Sequence, residues 1–268
     1  MGKYQIIYRM DKAILDLGSL ALRIVRAPSL AADSGRYKRN IELKQYKSNE
    51  RCYILALGPS LRDVDFNKLD GDTIAVNRFS RMQVPDDFQP TFYCLADAAF
   101  YTGAAKADAA HAIERFDKSV FVFNGKYSKE IEREFPAQPK KSYFIRPWKG
   151  FVKSSEEIDF TKDIPLTGNV ACLAIMLALF AGYKEIILLG CDFNSFASRS
   201  SVHSYDEDNT SRLIDLSFEL FCYSFVADAH QQLNDYAIRH GATIINATPG
   251  SLIDAYPYRP EIGEGLSR

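Results

Sequence analysis

Between residues 51 and 250 the sequence carries six short apolar runs, each with glycine, asparagine or aspartate at or next to its end. They are "CYILALG" (52–58), "TIAVN" (73–77), "TFYCLAD" (91–97), "SVFVFNG" (119–125), "KEIILLGCDF" (184–193) and "ATIINATPG" (242–250). Each is too short for a buried helix, rich in β-branched and aromatic residues, and continuously apolar rather than alternating. That pattern predicts strands of a parallel sheet covered on both faces. Between them lie helical stretches: "AAKADAAHAIERF" (104–116), "NVACLAIMLALFAGY" (169–183) with Gly182 as its stop, and a long helix or pair of helices over 212–241. Repeated strand–helix alternation predicts an α/β fold with a doubly wound, mostly parallel sheet.

The chain is long enough, at 268 residues, to bury a core without disulfides or metals. A formal net charge of -1 gives no electrostatic case for nucleic acid. The five cysteines (Cys52, Cys94, Cys172, Cys191, Cys222) form no Cys-x-x-Cys pair and are read as buried free thiols of a cytoplasmic protein. The four histidines are equally scattered, so no zinc site is expected. His111, His230 and His240 fall in helical patterns and are read as surface or core residues.

Residues 1–48 are set apart as a basic, amphipathic helical extension and linker, and 49–268 as the nucleotide-binding catalytic domain. In the extension Ile6, Ile7, Met10, Ile14, Leu17 and Leu20 or Ala21 recur at helical spacing, with Lys3, Arg9, Lys12, Arg23 and Arg26 among them. Three readings follow: a helix packed on the domain before a solvated linker, a helix on the inner face of the cytoplasmic membrane touching it through residues 1–30, or a contact between copies in a homo-oligomer. No run approaches the roughly 20 apolar residues of a membrane span. The segment 124–165, with "FPAQPKKSYFIRPWKGF", is read as an excursion or lid.

In an open α/β sheet the ligand binds beyond the carboxyl ends of the strands. Residues that immediately follow strands are therefore the candidates: Gly58, Pro59 and Ser60; Asn77 and Arg78; Asp97; Asn124; Asp192, Phe193 and Asn194. Thr167, Gly168 and Asn169 add the start of the apolar helix, where free backbone N–H groups and the positive dipole end suit phosphate. Asn77 offers donor and acceptors to a base or ribose, and Asp97 and Asp192 suit sugar hydroxyls or Mg²⁺. His203, in the polar stretch "NSFASRSSVHSYDEDNTSR", has the residue type of a general base, with Asp206, Glu207 or Asp208 to orient it.

Taken in order, "YILALGPSL", "DVDFNKLDGDTIAVNRF", "PTFYCLAD", "LTGNVACLAIMLALFAGYKEIILLGCDFN", "VHSYDED" and "INATPGSLIDAYP" resemble a Rossmann-like bacterial family, the 6-hydroxymethylpterin diphosphokinase-like proteins, and the related family 42 bacterial sialyltransferases. The resemblance covers roughly residues 50–258. It implies a GT-A-like variant of the Rossmann-like sheet and a glycosyltransferase using a nucleotide-activated sugar, with a CMP-sugar donor favoured, in the synthesis of a surface polysaccharide or glycolipid. It assigns Gly58, Pro59, Ser60, Asn77, Thr167, Gly168, Asp192 and Phe193 to the nucleotide and His203 to deprotonation of the acceptor, with no metal required; Asp97 and Asn169 join the nucleotide set by their places at a strand end and a helix start. Ala56 and Leu57 stand where the sialyltransferase loop has Gly-Asn, and Asn194-Ser195-Phe196 stand where tyrosines assist the departing phosphate; Arg199 and Tyr205 are assigned that task here. Two alternatives remain open: an ATP- and Mg²⁺-dependent diphosphokinase with Asp97 and Asp192 as metal ligands, and a non-catalytic polysaccharide-assembly subunit.

Overall fold

The computed structural model describes residues 6–14, 16–18, 21, 34–103, 105–135, 141–166, 168–197, 203–204 and 215–268. Among the described residues there are nine strands: β1 (Arg51–Leu55), β2 (Asp72–Val76), β3 (Phe92–Leu95), β4 (Val120–Asn124), β5 (Ser142–Ile145), β6 (Pro147–Phe151), β7 (Ile164–Leu166), β8 (Glu185–Leu189) and β9 (Thr243–Asn246). Seven form one sheet in the order β5-β4-β3-β2-β1-β8-β9. Every neighbouring pair is parallel, for example Ile54 opposite Ile74 on one side and Leu188 on the other. The order runs outward in both directions from β1, so the chain reverses its direction of winding between β1 and β8. That reversal opens a crevice at the carboxyl ends of these two strands.

The apolar runs are continuous because alternate residues face two different covered layers. Cys52, Ile54, Ile74, Val76, Ile186 and Leu188 face the layer of α2 (Val170–Ala181) and α3 (Leu216–Arg239). Tyr53, Leu55, Ala75, Tyr93, Phe121 and Leu189 face the layer of α1 (Lys106–Arg115) and the short helical turns after β1 and β2. The second layer is aromatic, with Tyr93 stacked on Phe121 at 5.1 Å between ring centroids.

Helix α2 is buried at all but two of its positions, which explains why its sequence is apolar all round. Its start is set by Asn169, whose Oδ1 accepts from the Cys172 N–H at 2.8 Å, and its end by Gly182 at φ 93°. Burying each large aliphatic side chain here contributes about 1.5–3 kcal/mol before entropy is counted. That is the force holding the helix start against the strand ends.

Two stretches differ from their sequence reading. The segment 124–165 supplies an edge strand, β5, and the pair β6–β7. A four-residue strand amid lysines and prolines, half of whose neighbours are polar, carries too little periodicity to be read. Residues 34–46 are no solvated linker: Leu43 is fully buried, and Asn40 donates from one Nδ2 to the carbonyls of Phe144 and Phe160, each at 2.7 Å. Four of the cysteines are buried free thiols and Cys222 is half-buried. Among the described residues no helix is long and apolar enough to cross a membrane.

Candidate functional site

Strands β1 and β8 end side by side, and their continuations stay in contact. The Ala56 N–H donates to the Leu189 carbonyl at 2.9 Å and the Gly58 N–H to the Gly190 carbonyl at 2.8 Å. No side chain fits between them. A Cβ on Gly58 would lie 1.9 Å from Asp192 Oδ2 and 2.6 Å from the Gly190 oxygen. Gly190 itself has φ 69°, and a Cβ there would lie 2.5 Å from the Ala56 oxygen. The glycine after β1 therefore makes room for a carboxylate of the protein itself, rather than for close approach of a ligand.

That carboxylate is Asp192, only 7% exposed. Ser60 holds it, donating from Oγ to Oδ2 at 2.8 Å and from its N–H to Oδ1 at 3.3 Å. Burial raises its pKa above the ordinary aspartate value, and the Ser60 hydrogen bonds only partly offset this. Ser60 thus stands behind Asp192 and is not part of the wall of the cavity.

The cavity has a volume of about 230 Å³. Its walls include Gly58, Pro59, Asn77, Asn169, Asp192, Phe193, Asn194 and His203, so eight of the residues singled out in the sequence converge on one place. Asn169, Val170 and Ala171 bring the N-terminus of α2 to it, with the positive end of the helix dipole. Two of its residues hold left-handed backbone without being glycine, Asn77 at φ 48° and Phe193 at φ 57°. Such conformations concentrate at functional sites because they re-aim a side chain at a local cost. The Asn77 backbone is pinned by Tyr93, whose hydroxyl donates to its carbonyl at 2.7 Å. Its side-chain Oδ1 is buried and meets no donor among the described residues. A buried acceptor without a partner costs about 1–3 kcal/mol, a penalty that an arriving donor removes.

His203 reaches this wall from a segment tied down by its backbone. Arg62 donates to the carbonyls of His203 and Ser204 at 2.9 and 2.8 Å, and the Ser204 N–H donates to the Leu57 carbonyl at 2.9 Å. The loop after β1 therefore positions the histidine as well as Asp192.

Other candidates have different places. Asp97 is exposed at the end of β3, accepts from the Ala99 N–H at 2.8 Å, and is not part of the cavity wall. Asp97 and Asp192 are thus not brought together as a pair of metal ligands; among the described residues no three His, Cys, Asp or Glu side chains converge for one. Arg78 joins Arg81 on the buried Asp108, and Asn124 donates to the Ala96 carbonyl at 3.1 Å. Gly168 packs against Val226. Thr167, Arg199, Tyr205 and Asp206, Glu207 and Asp208 lie outside the described residues.

Helix α3 contributes residues that the sequence reading passed over. Tyr223 and His230, seven positions apart on one helix face, both line the cavity. Tyr223 lies 4.4 Å from Phe193 between ring centroids, and its hydroxyl is 2.6 Å from Ser195 Oγ, which donates to Glu219 at 3.0 Å. His230 is 1% exposed, with Nδ1 2.8 Å from the Tyr256 hydroxyl and Nε2 3.7 Å from Cys172 Sγ. Burial pushes its pKa down to about 4, so the ring is neutral at pH 7. The sequence signal was present: positions 223, 226, 230, 233 and 237 form one helical stripe that mixes Tyr and His with aliphatic residues.

The chain matches no family model and no curated protein. Among solved structures it is similar to the sialyltransferase CstII from Campylobacter jejuni in complex with the substrate analogue CMP-3FNeuAc, with 14% identity, 81% of this chain and 88% of that chain covered, and a TM-score of 0.49. It is also similar to the sialyltransferase CST-II in complex with a trisaccharide acceptor and CMP, at 16% identity over 77% and 84% of the two chains, with a TM-score of 0.47. A third similarity is to an alpha-2,3-sialyltransferase from Campylobacter jejuni in apo form, at 14% identity over 78% and 79%, with a TM-score of 0.42.

Proposed function

We propose that this protein is a glycosyltransferase that moves a sugar from a nucleotide donor, of the CMP-sugar kind, to a hydroxyl of a glycan or glycolipid acceptor. The observation that carries the reading is the buried, unpartnered Oδ1 of Asn77 in a cavity at the winding reversal, with a helix N-terminus and a histidine in the same wall. The ordered motifs of the sequence point the same way. In this reading Asn77 accepts from the amino group or ribose of the nucleoside, and Asp192 accepts from a sugar or ribose hydroxyl. The departing phosphate is met by the N-terminus of α2 at Asn169 and Val170. His203 takes the proton of the acceptor hydroxyl as its oxygen bonds to the anomeric carbon and the bond from that carbon to the phosphate oxygen breaks. The reading calls for no metal, because the backbone N–H groups receive the leaving charge. Arg199 and Tyr205 remain assigned to that phosphate, and the setting is the cytoplasmic side of surface-glycan synthesis.

Calorimetric titration with CMP, and separately with ATP and Mg²⁺, tests it directly. CMP is expected to bind without metal, and Asn77→Ala to weaken it about tenfold, the value of one hydrogen bond to a buried acceptor. His203→Ala is expected to keep CMP affinity while lowering turnover of a CMP-sugar about 10²–10⁴-fold. Binding of ATP with Mg²⁺ but not CMP would replace this reading with the kinase one. Silence toward every nucleotide would leave a non-catalytic subunit.

A further inference from the structure

The N-terminal helix is turned the opposite way from an ordinary surface helix. Over residues 6–14 and 16–18 it turns Tyr8, Lys12 and Asp16 toward the body, with Arg9 and Asp11 exposed. Lys12 pairs with Asp228 of α3 and Asp16 with Lys153 at 2.8 Å, while the Tyr8 hydroxyl donates to the Ser224 carbonyl at 3.4 Å. Its apolar residues face outward: Ile6 and Ile7 are 44% exposed, Met10 59%, Ile14 64% and Leu17 67%. At 100° per residue these five fall within one stripe, opposite Tyr8 and Lys12. Rings extend the surface beyond the helix. Tyr8 lies 6.5 Å from Phe225, Phe225 4.8 Å from Phe221, and Phe221 6.4 Å from Phe218 between centroids; the last two are about half exposed at the start of α3. A soluble surface rarely leaves an apolar stripe of this extent uncovered.

We infer that this outward stripe docks the protein on an anionic lipid surface, with the helix lying in the plane of the interface. The charges decide between a bilayer and a second copy of the chain. The first thirty residues contain Lys3, Arg9, Lys12, Arg23 and Arg26 against Asp11 and Asp16. Lys12 and Asp16 are engaged with the body, and over these thirty residues of sequence the basic side chains outnumber the acidic ones by three. Two copies pressed stripe to stripe would crowd like charges together, whereas anionic headgroups complement them. The described helical run 6–14 spans only about 14 Å, short of the roughly 30 Å of a hydrocarbon core, and its pairs with the body hold it flat, so the stripe inserts shallowly. The Lys12–Asp228 pair ties the anchor to α3, the helix that carries Tyr223 and His230 into the cavity, and the Asp16–Lys153 pair ties it to the residues after β6. The docked surface thereby sets how the cavity is held over the bilayer.

Vesicle flotation of the full chain tests this, using phosphatidylcholine alone and a mixture containing about one-third phosphatidylglycerol. The protein is expected to float with the anionic vesicles and to be released by high salt. The double variant Ile14→Asp, Leu17→Asp changes only exposed side chains, so its melting temperature and CMP affinity should not move. Its vesicle partitioning should fall about tenfold or more. Arg9→Glu should weaken partitioning to anionic vesicles and leave the neutral ones unchanged. Equal flotation of wild type and double variant would overturn the inference. So would a wild-type dimer that the double variant converts to monomer in light scattering, because the stripe would then belong to a second copy. Neither result bears on the nucleotide reading, which the CMP titration tests separately.

Discussion

Asp97 and Asp192 end their strands with nearly the same local sequence, an apolar run closing on aspartate, yet they have different fates. Asp97 follows β3, an interior strand two places from the winding reversal, where the chain turns directly into a short helix. Its carboxylate faces solvent and caps that turn. Asp192 follows β8, beside β1, where the two loops diverge. It is folded back into the gap that Gly58 leaves and is stripped of water. The lesson is positional. An aspartate at a strand end acquires an unusual environment only where neighbouring connections leave in opposite directions, because only there is a crevice left unfilled.

The largest expected effect that sharpens the contrast is on the pH dependence of stability, since the cavity beyond β8 is lined by the buried Asp192 and His230. His230 has a folded pKa of about 4 against an ordinary value of 6.5. The unfolded chain therefore takes up the proton first as pH falls, and stability is lost between 6.5 and 4, by about 3 kcal/mol in all. Asp192 acts with the opposite sign: its raised pKa favours the fold at low pH and costs stability as pH rises through the folded value. Urea unfolding of His230→Gln from pH 7 to 4 should show a flatter curve than wild type. An unchanged slope would mean that the ring is not buried as a neutral base.

Gly58→Ala comes next, at about 1–3 kcal/mol by the cost of overpacking, because the added methyl meets Asp192 and the fixed Gly190 carbonyl. A loss of CMP affinity should accompany the fall in melting temperature. A variant as stable as wild type would show that the two strand ends are not in contact. The smallest effect is expected of Asp97→Asn, within about 0.5 kcal/mol, since asparagine caps such a turn as well as aspartate. Asp192→Asn in the same titration should reduce nucleotide affinity while Asp97→Asn leaves it unchanged. Equal losses from both would erase the difference between the two strand ends.

Much of the framework was legible in the residues. Six of the seven strands of the main sheet, the apolar helix with its Asn169 start and Gly182 stop, and the long C-terminal helix all announce themselves through uninterrupted apolar runs or helical spacing. β5 did not, because an edge strand of four residues needs little apolar sequence to be held by one neighbour. Residues 34–46 did not either, because their fixing depends on Asn40 reaching two carbonyls more than a hundred positions away. Around the cavity, Asn77, Asp192 and Phe193 stand out in the sequence by following strands and His203 by its residue type, whereas Tyr223, His230 and Arg62 are hidden in a helix and a turn.

That the chain forms parallel strands and covering helices is written locally in its residues, because hydrophobic periodicity and caps act over a few positions and leave a record there. The same local record marks which side chains stand at strand ends. Which of those ends meet depends on the packing of the whole chain. The order of the strands put β1 beside β8, so Gly58, Asp192 and Asn77 share a cavity while Asp97 remains in solvent. The tertiary structure likewise decided that the N-terminal helix turns its apolar stripe away from the body, because the ion pairs of Lys12 and Asp16 have partners on α3 and before Ser154, far away along the chain. Contacts between distant residues leave no periodic trace in sequence, and it is these contacts that set burial, pKa and the direction in which each side chain points.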